Sequence, residues 1–353
     1  YPPDSAFKLR TMHMDRHMGS HLIITAALAL VLLAASLSAS AADKQPLTQA
    51  QYAAFLQQRS SIVGAINAGH WNQATVQARD LLQTSLHIPN AYEHMGALNL
   101  LLLALRHEGL HVESMQAIDL VLAQVAASGG RPVSDQMEIL IREGLTSASL
   151  AGDTAALQRY QRLMLKDANL PPARWQWNLD QNRISDNVAQ TVLPLVAGAW
   201  VLQGIEAASQ RNERTYYHYL YIASGGETAT LDMHISYAPD FQGLDDEEVR
   251  RRISTYFRSP FEDAVEGGET LPDLPFPGLI QSKQITRRPL QTEPDLQHYR
   301  WMGVRGEWVV DMRSTSSVEA AAQVLAQLPT LWAPMQWSAN PVLGTAGPNT
   351  PTN

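Results

Sequence analysis

Cysteine is absent from all 353 residues. That excludes disulfides, thiolate zinc sites, iron–sulfur clusters and cysteine nucleophiles. Charged residues are scarce at 17%, and basic ones (26) are fewer than acidic ones (34), for a net charge of −8. A nucleic-acid partner needs a basic footprint, so this balance speaks against one. No G-x-S-x-G, P-loop or G-x-G-x-x-G signature is present, so the nucleophile elbow and the common phosphate cradles are missing too. Beyond Leu37 there is no run long and apolar enough to span a bilayer, which needs about 20 residues. What remains is a chain that is 45% hydrophobic. That is a globular composition, and at roughly 150 residues per domain its length predicts two domains.

The longest apolar run lies near the start. Leu22 to Leu37 (LIITAALALVLLAASL) carries no charge, Arg16 precedes it, and Ala39-Ser40-Ala41 follows. A basic flank, a short apolar stretch and a small-x-small site are the three parts of a secretory signal peptide. Cleavage after Ala41 predicts a mature chain from Ala42, placed in the periplasm or secreted, with no membrane span left. Tyr1 opens the chain, and Met12, Met14 and Met18 are candidate starts. Residues 1–41 are therefore kept apart from the fold as an N-terminal extension and signal peptide.

Residues 42–173 read as helices. Apolar residues recur at helical spacing in Thr48–Ala68, Trp71–Leu86, Ala91–His107, Glu113–Ala127, Ser134–Leu150 and Thr154–Asp167. Breaks fall at Pro89-Asn90, at Gly129-Gly130-Pro132 and at Pro171-Pro172. Gly69, Gly109 and Gly152 each sit between two amphipathic stretches, spaced 40 and 43 residues apart. Helical hairpins at regular spacing are the mark of an α-solenoid, with a plain six-helix bundle as the alternative. The stretch Ala65 to Leu82 (AINAGHWNQATVQARDLL) resembles a tetratricopeptide repeat, with Gly69, Trp71 and Ala74 at that family's turn, aromatic and small-residue positions. The resemblance implies a groove for a peptide or protein partner, with Trp71 as a binding residue.

From Ala199 the period changes. Trp200–Ala207, Thr215–Ala223 and Thr228–Tyr237 read as strands, with Gly225-Gly226 as a hairpin turn. Leu244–Phe257 reads as a helix with acids first (Asp245 to Glu248) and arginines after (Arg250 to Arg252), an order that suits the helix dipole. After a loop over Ser259–Ile280, strands follow at Gln284–Pro289, Gln297–Met302 and Glu307–Arg313, and a helix at Val318–Leu328. By element order, from Gln297–Arg313 and the helix after it, this half looks like the α/β sandwiches of the PsbP/Mog1 group, in which helices flank an antiparallel sheet. The predicted fold class is thus α+β in two domains. A helical-hairpin array over 42–173 is joined by a linker over 174–198 to an antiparallel-sheet domain over 199–333, with a disordered tail over 334–353. Tyr217, Tyr219 and Tyr221 share one sheet face; such a row can bind a sugar or peptide, or cover the sheet beneath a helix. Trp175 and Trp177 are expected to pack the two halves together. His218 and His234 could meet across adjacent strands near Asp232.

One motif looks catalytic. His107-Glu108-Gly109-Leu110-His111 matches H-E-x-x-H. On one helix its imidazoles would share a zinc ion, with Glu108 as general base and Glu138 or Glu143 as third ligand, as in a zincin metallopeptidase. Against this, Gly109 aligns with the turn glycines, and a turn there would put the two histidines on different helices. The sequence therefore predicts a non-catalytic exported binding or adaptor protein without a cofactor. Its partner is a peptide or protein of the cell envelope, met through Trp71, Tyr217, Tyr219 and Tyr221. The alternatives are a zinc peptidase built on His107, Glu108, His111 and Glu138, and a small-ligand or lipid carrier in the α/β domain.

Overall fold

A computed structural model describes residues 47–88, 91–127, 134–207, 214–223, 228–256, 263–265, 271–288 and 296–337. The signal segment, the breaks at Pro89-Asn90 and Gly129-Gly130-Pro132, the Gly225-Gly226 turn and the tail from Ala339 lie outside them.

The described residues of the N-terminal half form six helices: α1 Gln49–Asn67, α2 Trp71–Ser85, α3 Ala91–His107, α4 His111–Ala127, α5 Ser134–Ala151 and α6 Thr154–Asp167. Thr48 opens α1 with a reciprocal capping box to Gln51, and Asp153 caps α6 through the amide of Ala156. Each satisfies amides that the first helical turn leaves without partners. The hairpin turns share one construction. The glycines lie at φ +74° (Gly69), +71° (Gly109) and +65° (Gly152). The residue after each donates to the carbonyl five positions back: His70 to Ala65, Leu110 to Leu105 and Asp153 to Ala148. A helix stop of this kind needs positive φ, which glycine adopts at little cost.

Successive hairpins are tied by acids. Tyr52 on α1 donates to Glu93 on α3, Arg79 on α2 to Glu113 on α4, Arg106 on α3 to Glu143 on α5, and Tyr160 on α6 to Asp119 on α4. Each tie joins equivalent members of neighbouring hairpins, which is how a stacked array is held. Gly144 on α5 lets Tyr160 press close, since a Cβ there would sit 2.4 Å from its ring.

The C-terminal half is antiparallel sheet. Its large sheet runs in the order β4-β5-β6-β7-β11-β10-β9-β8, where β4 is Val196–Ala197, β5 Trp200–Ala207, β6 Arg214–Ile222, β7 Thr228–Tyr237, β8 Asp263–Val265, β9 Ile280–Arg288, β10 Leu296–Arg305 and β11 Trp308–Ser317. Two meanders, β5-β6-β7 and β9-β10-β11, meet where β7 pairs with β11. Helix α7, Asp246–Tyr256, comes between the meanders in sequence, and α8, Ala321–Trp332, follows them.

Two boundaries need correction. The segment 174–198, read as a linker, is folded: β1 Trp175–Asn178, β2 Arg183–Asp186 and β3 Thr191–Pro194 form a second sheet with β12, Gln336–Trp337. The first four residues of the expected tail therefore belong to the folded part, with Met335 and Trp337 buried. The strands are only two to four residues long, and β3 pairs with a strand from the far end of the chain, so no local pattern announces them. A buried ion pair anchors the segment. Arg174 donates to both carboxylate oxygens of Asp186 (2.9 and 2.6 Å) and to Thr215 Oγ1 (3.0 Å), and Asp186 also accepts the amides of Val188 and Ala189.

The small sheet and α8 cover one face of the large sheet; Trp200 Nε1 donates to Gln327 O and Trp337 Nε1 to Ala189 O. On the other face α5 lies against β5, where a bulge between Leu202 and Gly204 turns Gln203 outward to Thr146 Oγ1. A bulge inserts one unpaired residue and so re-aims a side chain. Helix α7 covers the far end of that face, over Met302, Val304 and Val309.

Candidate functional site

Trp71, His107 and His111 come together, in a way that metal chemistry does not require. His107 is the last residue of α3 and His111 the first of α4, with Gly109 turning the chain between them. The four-residue step of one helix face is therefore absent, and with it the shared aim of the two imidazoles. The His107 ring instead stacks on Trp71, with centroids 3.8 Å apart and planes 13° from parallel. Glu108 accepts a 2.7 Å hydrogen bond from Thr75 Oγ1. Glu138 pairs with Arg142 along α5, and Glu143 pairs with Arg106. Among the described residues no group of three or more His, Cys, Asp or Glu side chains gathers as metal ligands. The turn at Gly109 thus leaves His107 and His111 on two helices, and not on the single helix face that the zinc arrangement of His107, Glu108, His111 and Glu138 requires.

Around the Trp71–His107 stack is a cavity of about 390 Å³, also lined by Leu103, Arg106, His111 and Leu150. Its far wall is the β6–β7 end of the sheet, at Ile222, Ala223 and Thr228. The cavity therefore lies where the hairpin array meets the sheet half. His111 is held below the usual imidazole range by burial, helped by the charge of Arg106, and its Nδ1 is buried without a hydrogen bond. Leu103 is half-exposed, and Leu110 and Val112 at the start of α4 are exposed as well. A half-open cleft with apolar walls and a few polar groups has the composition of a ligand pocket. Leu103, Arg106 and Leu150 carried no signal in the sequence beyond their helical period.

The tyrosine row is corrected from binding residue to core. Tyr217 is 0% exposed, Tyr219 1% and Tyr221 2%, so no ligand reaches them. Tyr217 meets Trp175 edge-on at 5.9 Å, Tyr219 Oη donates to Pro194 O at 2.8 Å, and Tyr221 packs on Trp200 at 5.2 Å. Burial pushes the Tyr217 and Tyr219 hydroxyls far up, so both stay neutral. The period-2 pattern placed the row on one face; only the small sheet, whose strands were not foreseen, decides that this face is closed. Of the junction tryptophans, Trp175 is buried and Trp177 is 41% exposed.

The opposite face is polar. His218 and His234 do not pair with each other. Asp232, directly across from His218, takes its Nδ1 at 2.7 Å, and this hydrogen bond raises the imidazole pKa. His234 lies edge-on to Tyr216 at 4.0 Å and is held low by burial. On α7, Glu248 accepts from both Arg251 and Arg252, so two members of the triple arginine serve the helix's own surface.

No protein-family description matches the chain, and no curated protein is similar to it in sequence. Among solved structures, LpqN of Mycobacterium tuberculosis, involved in cell envelope biogenesis, is similar over 42% of this chain and 82% of its own, at 12% identity and a TM-score of 0.30.

Proposed function

We propose that the chain is an exported, non-catalytic binding or adaptor protein that works in the periplasm or outside the cell and recognises a peptide segment of a partner protein of the cell envelope. Its hairpin array acts as a tetratricopeptide-like scaffold, and its sheet domain, arranged like the PsbP/Mog1 sandwiches, forms the second wall of the site. Export rests on the apolar run Leu22–Leu37 and the small-x-small site at Ala39-Ser40-Ala41. No helix among the described residues is long and apolar enough to cross a membrane.

The observation that carries the reading is the cavity of about 390 Å³ around Trp71 and Leu103. It combines an aromatic anchor, a half-exposed leucine and flanking donors, the mixture on which apolar peptide contacts depend. Recognition then proceeds by shape and desolvation, with no covalent step. A peptide library selected against the immobilised full-length chain tests this. Selected peptides should lose about tenfold or more in affinity to Leu103→Glu, while the variant's thermal unfolding stays unchanged because Leu103 is half in solvent. Peptides that bind the variant equally well, or a selection that yields no binder, would overturn the reading.

A further inference from the structure

A second cavity, of about 250 Å³, lies on the polar sheet face beneath the segment leading to α7. One wall is apolar: Phe241, from the 3-10 turn Pro239–Phe241, together with Met302 and Val309. These belong to the small core under α7. The other wall carries Arg214, Tyr216, His234 and Ser236. Register explains their meeting. Arg214 stands directly opposite Ser236, and Tyr216 opposite His234, so alternate residues of β6 and β7 deliver all four to one face.

The polar groups of this cavity differ from their neighbours. On the same face His218 is paired with Asp232, and Arg300 with both oxygens of Asp311. Among the described residues, none pairs with the guanidinium of Arg214 or the hydroxyls of Tyr216 and Ser236. Asp311, also in the lining, has its charge offset by the bidentate Arg300. Burial keeps His234 below its ordinary value and hence neutral at pH 7, which leaves Arg214 as the cation of the lining. The lining thus sets the polar side chains of β6 and β7 against the apolar ones of Phe241, Met302 and Val309.

We propose that this cavity binds a small carboxylate with a flat apolar body, of the size of a benzoate or phenylacetate. The ring lies against Phe241 and Met302, and the carboxylate takes the Arg214 guanidinium with the Tyr216 and Ser236 hydroxyls. An unpaired guanidinium suits a carboxylate because its planar fork matches the two oxygens. The volume holds a single ring with its acid group and excludes a folded partner. This site is separate from the one at Trp71 and does not depend on it.

The test is titration of the full-length chain, carrying 13C-methyl methionine, with phenylacetate and with the neutral isostere phenylacetamide. The Met302 methyl resonance is followed, after assignment with Met302→Leu. Phenylacetate should shift that resonance saturably, and phenylacetamide should bind about tenfold more weakly or less, the loss of one charge-assisted contact. Arg214→Gln should weaken phenylacetate by a similar factor and leave phenylacetamide unchanged. Arg214 is exposed, so the variant folds, and an unchanged spectrum of the remaining methionines confirms it. Equal binding of acid and amide, insensitivity to Arg214→Gln, or no movement of Met302 with phenylacetate would each overturn the proposal.

Discussion

Asp186 in the sheet half and Glu113 in the helical half each hold an arginine through two hydrogen bonds, in opposite surroundings. The side chains of Arg174 and Asp186 are 5% and 0% exposed, those of Arg79 and Glu113 40% and 16%. In the array, acid–base pairs are latches between hairpins that already stand on their own helical hydrogen bonds and turn glycines. At the junction, the pair is enclosed by β1, β2 and β6 and organises a segment with little local preference of its own. The lesson is that one chemistry carries different weight in the two halves, set by how much water is removed from it.

The largest expected effect separates these roles. Asp186→Ala removes the bidentate acceptor from a buried guanidinium and also frees the amides of Val188 and Ala189. It should lower stability by about 3–5 kcal/mol. Glu113→Ala, at a partly exposed pair, should cost about 1 kcal/mol or less. Denaturant unfolding of both variants measures the difference, and equal losses would remove the distinction.

A smaller effect probes the equivalence of the hairpins. At Gly69, Gly109 and Gly152 an added Cβ would meet nothing within 4 Å, so Ala substitution acts only through the positive φ. Each variant should lose about 1–2 kcal/mol, the cost of a left-handed L-residue. Three similar drops in thermal stability support one repeated turn. A neutral Gly109→Ala would show that the middle hairpin is built differently, and would reopen the question of a continuous helix through His107 and His111.

The smallest effect concerns the polar sheet face. The Asp232 hydrogen bond raises His218 above its ordinary value of 6.5. A raised folded-state pKa stabilises below the unfolded value and ceases to do so as pH rises through the folded one. Wild type should therefore exceed Asp232→Asn in melting temperature at pH 5.5, by a margin that narrows by pH 8.5. A gap that is constant or widens with pH would mean that the pair is not held by charge.

Much of the site's material was visible beforehand and little of its arrangement. Trp71, His107 and His111 stood out by residue type and spacing, and they do line one cavity. Their neighbours Leu103, Arg106 and Leu150 looked like ordinary positions of amphipathic helices, and Ile222 and Ala223 like the end of a strand. Only the approach of β6 and β7 to the array makes these five a wall. Arg214, Ser236 and Phe241 were silent for the same reason: a strand residue shows which of two faces it takes, and not whether that face is covered.

By itself the sequence determined the helices α1 to α6, the three glycine turns between them, the six strands of the two meanders, and the face to which each alternate residue belongs. All of these follow from interactions within a few residues: helical hydrogen bonds, left-handed glycine stops, and the two-residue period of a pleated strand. The tertiary structure alone decided that 174–198 is a sheet, that the tyrosine row is sealed, and that a cavity opens at Trp71. Those outcomes rest on contacts such as Trp337 with Ala189 and Trp200 with Gln327. Burial is a property of pairs of surfaces, and the second surface comes from another part of the chain, 25 residues away for Tyr219 on Pro194 and 148 for Trp337 on Ala189.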